Sequence, residues 1–360
     1  MRFRFLIFFI ILITLSRCDT KPKQDLPDDI KKETQVRIEK EYHLGTVIGI
    51  IDKNGTRYYG FGQKSLSDDS TPDENSIFEI GSVTKTFTSS LLSDLNRKGE
   101  INIQDSIQTY LPIFKNVVTK NNKIITLENL STHTSGLPRD PLNMDVNNDY
   151  RYRDYSIEKL NDFLSSYTLD SIPNTYNYSN LGVLIIEQAI ESKMNKTYES
   201  LIMERVTNVL DMSDTEFKVS KDKRPRLVMG YRYGKEIDEL DIGEFQAMGG
   251  LRSTAKDMLK FLGAQLGMYP TSLSDALKET HNIHFKDDNN VMGLGWEILE
   301  RKESGKIIHY HKGGTPGFVS FAGFNLEDQI GVVVLINGSR YFSDLGFNLL
   351  DPTYPLIKAE

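Results

Sequence analysis

Cysteine is almost absent from this sequence, which has Cys18 alone among its 360 residues. A single cysteine excludes a disulfide bond within the chain, so the fold does not depend on one. Low-complexity tracts and internal repeats are also lacking. The remaining composition is that of an ordinary globular protein, and this length allows a large core and two closely joined subdomains.

An excess of basic residues is lacking as well. Lys and Arg together number 43 and Asp and Glu 50, which gives a formal net charge of -7 with the two signs well mixed. The sequence contains no basic stripe and no glycine-rich phosphate loop. We therefore expect no nucleic-acid partner.

Long apolar runs are missing, and the N-terminal run is short. Residues 5–15 are apolar but too few to span a bilayer, and Arg2 and Arg4 precede them. A basic start followed by a short apolar segment is typical of a secretory signal peptide. The pattern predicts a signal peptide over residues 1–17 and an exported protein.

The lone cysteine follows this segment directly. Its position resembles that in a bacterial lipoprotein signal, although Arg17 stands where a small residue is usual. We expect Cys18 to be lipidated and to anchor the protein to a membrane, in the periplasm or at the cell surface. The alternative is an incidental cysteine in a discarded signal. The polar residues 18–32 are then expected to act as a tether.

Strand patterns occur near both ends of the chain. Asn54-Gly55 joins two apolar runs and predicts a hairpin. Further strands are expected after residue 290, whereas helical patterns dominate residues 100–287. The prediction is an α+β fold with one domain over residues 33–345. Its antiparallel sheet, from about 42–99 and 288–360, is flanked by helices and carries a mostly helical inserted subdomain.

A serine and a lysine stand three residues apart at the start of a predicted helix. Apolar residues recur every fourth position after Ser82, and Gly99 marks the end of the helix. At this spacing Ser82 Oγ and Lys85 Nζ are neighbours on the helix surface. A lysine kept neutral by its surroundings can take the serine proton and so activate a nucleophile. Alone, the pair also fits an N-cap serine beside a surface lysine.

Two further polar clusters accompany this pair. The first is 176–180, where Ser179 or Asn180 caps a buried helix and Tyr178 is placed to act as a general base. The second is 309–318, predicted to be extended, with Lys312 on the face opposite to His311 and Gly313. A glycine there would let substrate lie against the strand edge, and the N–H of Gly314 is a candidate oxyanion donor.

The order of these clusters resembles the serine β-lactamase and penicillin-binding protein superfamily, and the Tyr-Ser-Asn version resembles its class C β-lactamase branch. The resemblance extends over roughly residues 42–340. Its segments are 80–88 (IGSVTKTFT), 130–138 (LSTHTSGLP), 248–255 (MGGLRSTA), 293–296 (GLGW) and 311–318 (HKGGTPGF).

The resemblance implies a role for each site residue. Ser82 is the acylated nucleophile, and Lys85 and Tyr178 share the proton transfers. Asn180 holds the substrate and Lys85, and the N–H groups of Ser82 and Gly314 form the oxyanion hole. The implied reaction is acyl transfer through a serine ester followed by attack of water, with no metal or cofactor.

One departure from the family pattern bears on the substrate. His311 stands where β-lactamases of this branch usually have a lysine, and histidine is mostly neutral at pH 7. Weaker β-lactam hydrolysis is therefore expected. The predicted substrate is a cell-wall D-amino-acid peptide, as for a DD-carboxypeptidase or D-aminopeptidase, or an ester, with peptidoglycan as the expected partner. The alternative is a class C-type β-lactamase.

Two rival classes of protein remain open. A metalloenzyme is conceivable because His309 and His311, and likewise His281 and His284, have spacings used in metal sites, although no carboxylate pattern joins them. A non-catalytic scaffold or sensor is the second rival, because fold does not fix function. His133 suggests a catalytic pair of a serine and a histidine, but the resemblance implies a structural role for the segment that contains it.

Overall fold

The structure is a computed structural model that describes residues 25–114, 124–145, 151–169, 175–340 and 342–359. The predicted signal peptide, Cys18 and residues 18–24 of the predicted tether lie outside the described residues. Within the described part of the chain, no helix has the length and apolar character needed to cross a membrane.

The described chain forms helices and strands in the mixed order that the sequence predicts. The helices are α1 (Asp28–Glu39), α2 (Thr84–Arg97), α3 (Ile107–Tyr110), α4 (Leu127–Ser131), α5 (Ile157–Ser166), α6 (Asn180–Met194), α7 (Tyr198–Ile202), α8 (Ala255–Gln265), α9 (Ser274–His281) and α10 (Asp344–Leu350). The strands are β1 (Gly45–Asp52), β2 (Gly55–Gly62), β3 (Ile77–Glu79), β4 (Gly230–Arg232), β5 (Lys235–Ile237), β6 (Arg252–Thr254), β7 (Phe285–Lys286), β8 (Val291–Met292), β9 (Glu297–Glu300), β10 (Ile307–Gly314), β11 (Phe318–Asn325) and β12 (Ile330–Asn337).

The main sheet is antiparallel and draws its strands from both ends of the chain. Its order is β2-β1-β12-β11-β10-β9-β8-β7, so β1 from the N-terminal part of the chain pairs with β12 from the C-terminal part. The Asn54-Gly55 hairpin is present, with Asp52 opposite Gly55 and a φ of 104° at Gly55 that suits glycine. The predicted α+β fold is confirmed.

Both faces of the sheet are covered. On one face Val47 and Val333 pack with Leu259 of α8 in the large core that reaches into the helical part. On the other face Ile48 and Val334 join a smaller core that also contains residues of α1 and α10. Double burial explains why the central strands are almost continuously apolar rather than alternating.

The predicted domain boundaries at residues 33 and 345 are too narrow. Helix α1 begins at Asp28, and Leu26 and Ile30 are already buried in the smaller core. At the other end α10 continues to Leu350. These segments are part of the fold because apolar side chains on both cover the outer face of the sheet, which a polar tether would leave exposed.

Candidate active site

Ser82 lies in a 3₁₀ turn, Gly81–Val83, between β3 and the first residue of α2. Gly81 has a φ of 49°, and a Cβ there would lie 2.8 Å from the backbone nitrogen of Gly314. The turn therefore requires glycine, both for its conformation and for the close approach of β10. Helix α2 ends as predicted, at Arg97 and before Gly99.

Lys85 is the centre of the site. Its Nζ lies 3.1 Å from Ser82 Oγ and 2.5 Å from the carbonyl oxygen of Met248, and the side chain is 2% exposed. Burial lowers the pKa of Lys85 well below its ordinary value, and the positive charge of Arg139 lowers it further. A neutral amine at this distance has the geometry to take the proton of Ser82.

Tyr178 lies beside this pair in the loop before α6. Its ring centroid is 5.2 Å from Lys85 Nζ, and Arg139 lies on the same ring at 5.1 Å. The ring also packs against that of His133, with centroids 4.4 Å apart. The structure thus brings the predicted base Tyr178 next to Lys85 and Arg139.

His133 holds the loop on both sides of Tyr178. The N–H of Asn177 donates to the carbonyl oxygen of His133 at 2.7 Å, and the N–H of Ser179 donates to His133 Nδ1 at 3.2 Å. Since Nδ1 accepts, a neutral ring carries its proton on Nε2. Burial keeps the pKa of His133 well below its usual value. His133 therefore positions Tyr178 rather than pairing with Ser82.

Helix α6 starts at the edge of the site. Ser179 is its N-cap, with Oγ accepting the N–H of Gly182 at 2.9 Å. Asn180 Nδ2 donates to Asp140 Oδ1 at 2.9 Å and to the hydroxyl of Tyr152 at 3.2 Å. These contacts fix the amide at the cavity wall. The expectation that Asn180 also holds Lys85 stays a prediction.

His311 is 2% exposed on β10, and burial together with the charge of Lys85 lowers its pKa to about 3. Its Nδ1 lies 2.9 Å from the carbonyl oxygen of Lys312, which can only accept, so Nδ1 carries the proton of the neutral ring. Lys312 points to the other face, with Nζ 5.7 Å from the Tyr310 ring. The third cluster therefore supplies no buried cation near neutral pH.

The reason for glycine at position 313 differs from the expected one. A Cβ on Gly313 would lie 2.0 Å from the carbonyl oxygen of Ile80 and 2.2 Å from Ser320 Oγ. Ser320 Oγ itself donates to that carbonyl at 2.7 Å. The absence of a side chain at Gly313 thus lets β10 pack against the segment before Ser82. The space beside Gly313 is therefore occupied by protein and not by substrate.

The backbone of Gly314 lies against Gly81 as a result of this packing. Ser82, Gly314 and Asn180 all line one cavity of about 310 Å³. This places the nucleophile candidate and the predicted oxyanion donor at a space where an acyl group fits. The oxyanion role of the two N–H groups stays a prediction.

The other histidines have neighbours of their own. His309 stacks on Phe324 with centroids 5.0 Å apart, and His281 bonds Gln265 at 2.6 Å. His284 bonds Glu128 at 2.7 Å. Among the described residues, no three His, Cys, Asp or Glu side chains are grouped so that they could hold a metal ion.

Comparison with models of known protein families shows to which family the chain belongs. Residues 31–347 match the family model described as Beta-lactamase. The chain belongs to the beta-lactamase family. It is therefore a serine hydrolase of the superfamily that the sequence motifs indicate, and the expectation that it is an enzyme is confirmed.

Relatives within the beta-lactamase family have low sequence identity to this chain, but the similarity extends over most of its length. The chain is 26% identical over 319 residues to the D-alanyl-D-alanine-carboxypeptidase/endopeptidase AmpH of Escherichia coli K12, covering 82% of this chain and 80% of AmpH. It is 25% identical over 301 residues to a beta-lactamase of Psychrobacter immobilis, covering 80% of this chain and 71% of that protein.

Solved beta-lactamase structures share the fold. A beta-lactamase/D-alanine carboxypeptidase of Pseudomonas syringae superposes with a TM-score of 0.78 at 21% identity, over 91% of this chain and 98% of that one. A class C beta lactamase of Rhodobacter sphaeroides gives 0.77 at 21% identity, over 88% and 95%. Both support the class C-type architecture.

Sequence reasoning missed several residues of this beta-lactamase-family site. Met248 is the first residue of segment 248–255, which resembles the family pattern. The spacing of that segment does not show that the carbonyl oxygen of Met248 accepts a hydrogen bond from Lys85. Arg139 and Asp140 directly follow segment 130–138, which also resembles the family pattern. Their adjacency to that segment is the sequence signal that could have identified them as site residues. Tyr152 carried no signal, because its contact with Asn180 depends on how a distant loop folds.

Proposed function

We propose that this beta-lactamase-family hydrolase uses Ser82 to cleave a D-amino-acid peptide or ester of the bacterial cell wall. The observation that carries the proposal is the buried Lys85, whose Nζ lies 3.1 Å from Ser82 Oγ. A lysine with a lowered pKa is a base matched to this task.

The proposed reaction has two steps. Lys85 takes the proton from Ser82 Oγ, which attacks the acyl carbon, and the oxyanion is stabilised by the N–H groups of Ser82 and Gly314. The proton passes to the departing amine or alcohol, and an acyl-serine ester remains. Water then attacks the ester with Tyr178 and Lys85 assisting its deprotonation, and the free acid and Ser82 are released.

His311 weakens the binding of any substrate carboxylate at its position. Its neutral, buried imidazole gives no fixed charge for the carboxylate of a penicillin or for that of a D-alanyl-D-alanine end. The choice of a peptide or ester over a penicillin is supported instead by the similarity to AmpH, whose name describes a D-alanyl-D-alanine carboxypeptidase and endopeptidase. A class C-type β-lactamase is the second candidate, which the similarity to the Psychrobacter beta-lactamase favours.

We also propose that the protein is exported and held at a membrane by lipidated Cys18. The support is the basic and apolar N-terminal sequence that precedes this cysteine. Such a location would place the site where peptidoglycan is found. Metabolic labelling with a clickable palmitate analogue, compared between wild type and Cys18→Ala, tests the anchor, and equal labelling of both would contradict it.

The test of the chemistry is intact-protein mass spectrometry after incubation with a penicillin, while the drug is followed in the same sample. We expect an adduct on wild type and on Ser165→Ala, an exposed serine of α5, but not on Ser82→Ala. Slow loss of drug would fit a peptidase, and efficient turnover would favour the lactamase.

A peptide assay completes this test. We expect release of D-alanine from a D-alanyl-D-alanine peptide, or hydrolysis of the corresponding ester, and loss of both in Ser82→Ala. If Ser82 is not labelled by the penicillin or by a fluorophosphonate probe, and no substrate is cleaved, the proposal is wrong and a non-catalytic role gains support.

A further inference from the structure

The side-chain amide of Asn180 has its orientation set by two neighbours at the wall of the active-site cavity. Its Nδ2 donates to Asp140 Oδ1 at 2.9 Å and to the Tyr152 hydroxyl at 3.2 Å. The Tyr152 hydroxyl in turn lies 2.6 Å from the same Oδ1. Asn180 and Tyr152 line the cavity that Ser82 also lines. Three polar groups from three segments of the chain thus meet beside the candidate nucleophile.

The chemistry of these groups favours one arrangement of protons. A carboxylate can only accept, so the tyrosine hydroxyl donates its proton to Asp140. Burial, together with the charge of Asp140, raises the pKa of Tyr152 to about 12, so the phenol keeps that proton near neutral pH. Its oxygen then accepts from Asn180 Nδ2. If the amide were turned over, its oxygen would face the carboxylate, and two acceptors would be placed together without a hydrogen.

One N–H of Asn180 remains for a ligand. The two acceptors are only 2.6 Å apart, so both lie on one side of Nδ2 and share the same N–H. The second N–H of an amide points away from the first. The described part of the chain offers no further acceptor to this nitrogen. A ligand that brings an acceptor oxygen therefore finds a donor that is already oriented, which lowers the cost of binding.

We propose that Asp140 and Tyr152, here called the positioning pair, fix the amide of Asn180 so that its second N–H binds an acceptor oxygen of the acyl group. The proposal rests on the proposed function, since it concerns the same site. The favoured substrates carry an amide carbonyl next to the scissile acyl group. Loss of either member of the pair should weaken the selection of such acyl groups without removing the chemistry of Ser82.

Asp140 also acts on Lys85 through its charge. Burial and the positive charge of Arg139 lower the pKa of Lys85, whereas the negative charge of Asp140 raises it. Tyr152→Phe disrupts the positioning pair and leaves this charge in place. Asp140→Asn removes the charge and leaves an oxygen that can accept from Tyr152 and Asn180. The two substitutions therefore separate the positioning of the amide from the electrostatic effect.

The test uses two esters that differ by an amide group. One is the para-nitrophenyl ester of N-acetyl-D-alanine, and in the other an isobutyl group of similar shape replaces the acetamido group. Both are assayed for kcat/KM with wild type, Tyr152→Phe, Asp140→Ala and Asp140→Asn. Asn180→Ala gives the preference that does not depend on its amide. Tyr155→Phe is the matched control, because Tyr155 donates to Asn143 Oδ1 at 2.8 Å between the same two segments.

We expect wild type and Tyr155→Phe to prefer the amide-bearing ester about three- to tenfold more than Asn180→Ala does, since one hydrogen bond contributes about that much. In Tyr152→Phe and Asp140→Ala the preference should fall towards that of Asn180→Ala. Their rates with the isobutyl ester, taken on the plateau of the pH profile, should stay close to that of wild type. A general structural defect would instead lower both rates equally. Asp140→Asn should retain most of the preference.

The pH profile supplies a second readout. Because the charge of Asp140 raises the pKa of Lys85, the rates of Asp140→Ala and Asp140→Asn should level off at lower pH than that of wild type. Tyr152→Phe keeps the carboxylate and should follow the profile of wild type. If Tyr152→Phe shifts the profile as far as Asp140→Ala does, the pair acts through its charge, and the proposal that it positions the amide is wrong.

A binding measurement separates this proposal from the proposed function. Calorimetric titration of Ser82→Ala with the methyl esters of the same two acids should show tighter binding of the amide, and adding Tyr152→Phe should remove the difference. Equal preferences in wild type, Tyr152→Phe and Asn180→Ala would overturn the positioning pair while leaving Ser82 chemistry intact. Selective binding that depends on Tyr152, without any hydrolysis by wild type, would retain the pair and count against the proposed function. Neither selective binding nor hydrolysis would count against both.

Discussion

Lys85 Nζ donates to the carbonyl oxygen of Met248 across 2.5 Å, and this contact fixes the direction of the amine. With one N–H committed to Met248, the nitrogen is held 3.1 Å from Ser82 Oγ. A neutral amine has one lone pair, and holding its N–H away from the serine leaves that lone pair for the serine proton. The backbone of Met248 thus belongs to the proton-transfer geometry.

The pH dependence of acylation should report on Lys85. A lysine acts as a base only above its pKa, so the rate should rise with pH until Lys85 is neutral and then level off. Because burial lowers this pKa, the plateau should begin well below the ordinary lysine value of about 10.4. Labelling of Ser82 by a fluorophosphonate, followed by intact mass between pH 5 and 10, measures this profile.

Lys85→Arg provides the decisive comparison for this profile, because a guanidinium stays protonated over the whole range. We expect labelling to fall at least about 100-fold at every pH. Lys98→Arg, a half-exposed lysine paired with Asp94, should behave as wild type. A rate that still climbs through pH 10, or an active Lys85→Arg, would contradict the assignment of Lys85 as base.

The loop that carries Tyr178 should depend on His133. His133→Ala removes the acceptor for the N–H of Ser179 and leaves a non-glycine residue at a φ of 59°. Asparagine tolerates that conformation and offers an oxygen in place of Nδ1. We expect kcat to fall about tenfold or more in His133→Ala and to recover in part in His133→Asn. A kcat of His133→Ala close to that of wild type would show that the contact between His133 Nδ1 and the Ser179 N–H does not position Tyr178.

The sheet was predictable from sequence because its signals are local. The Asn54-Gly55 turn and the short connections between the late apolar runs specify antiparallel neighbours without knowledge of the rest of the chain. Ser82 and Lys85 were predictable for the same reason, since a spacing of three residues places side chains together wherever a helix forms.

Contacts between distant segments were not predictable in this way. Arg232 lines the active-site cavity, and its strand β4 is bonded there to a distant segment, through the N–H of Tyr231 and the carbonyl oxygen of Gly317. The role of Gly313 is not predictable either, because its neighbour Ile80 lies more than two hundred residues away in the sequence. The start of the domain is not predictable for the same reason, because residues 25–30 have a polar character in the sequence and become part of the fold only where α1 packs on the outer face of the sheet.

Stability should depend on the ion pair that joins α1 to α10. Arg37 Nη2 lies 2.6 Å from Asp344 Oδ2, and both side chains are almost completely buried. Asp344→Ala leaves a buried guanidinium with Glu33 as its remaining carboxylate partner, so we expect a loss of about 3–5 kcal/mol in the free energy of unfolding. Guanidinium chloride unfolding measures this loss.

A surface pair serves as the control for that measurement. Asp275 and Arg97 are 3.2 Å apart but largely exposed, so Asp275→Ala should cost less than about 1 kcal/mol. Equal losses for Asp344→Ala and Asp275→Ala would mean that the buried pair does not hold the terminal helices to the sheet.

Glu187 should control how firmly Met248 is held. Its two carboxyl oxygens accept the N–H groups of Gln246 and Ala247 at 3.0 and 2.8 Å, immediately before Met248. Glu187→Gln offers one carbonyl oxygen and an NH₂ group, so one of the two backbone donors loses its acceptor. We expect a loss of about 1–3 kcal/mol in the free energy of unfolding and several-fold slower labelling of Ser82, because Lys85 then bonds a less fixed carbonyl.

Glu191→Gln separates the effect on the site from the effect on stability. Glu191 lies one turn further along α6 and accepts the N–H of Tyr198 at 2.7 Å, away from Met248. Its substitution should lower stability without slowing the labelling of Ser82, measured at a temperature where both variants are folded. If Glu187→Gln slows labelling no more than Glu191→Gln does, Glu187 stabilises the fold alone, and the position of Met248 is set by the remaining contacts of its loop.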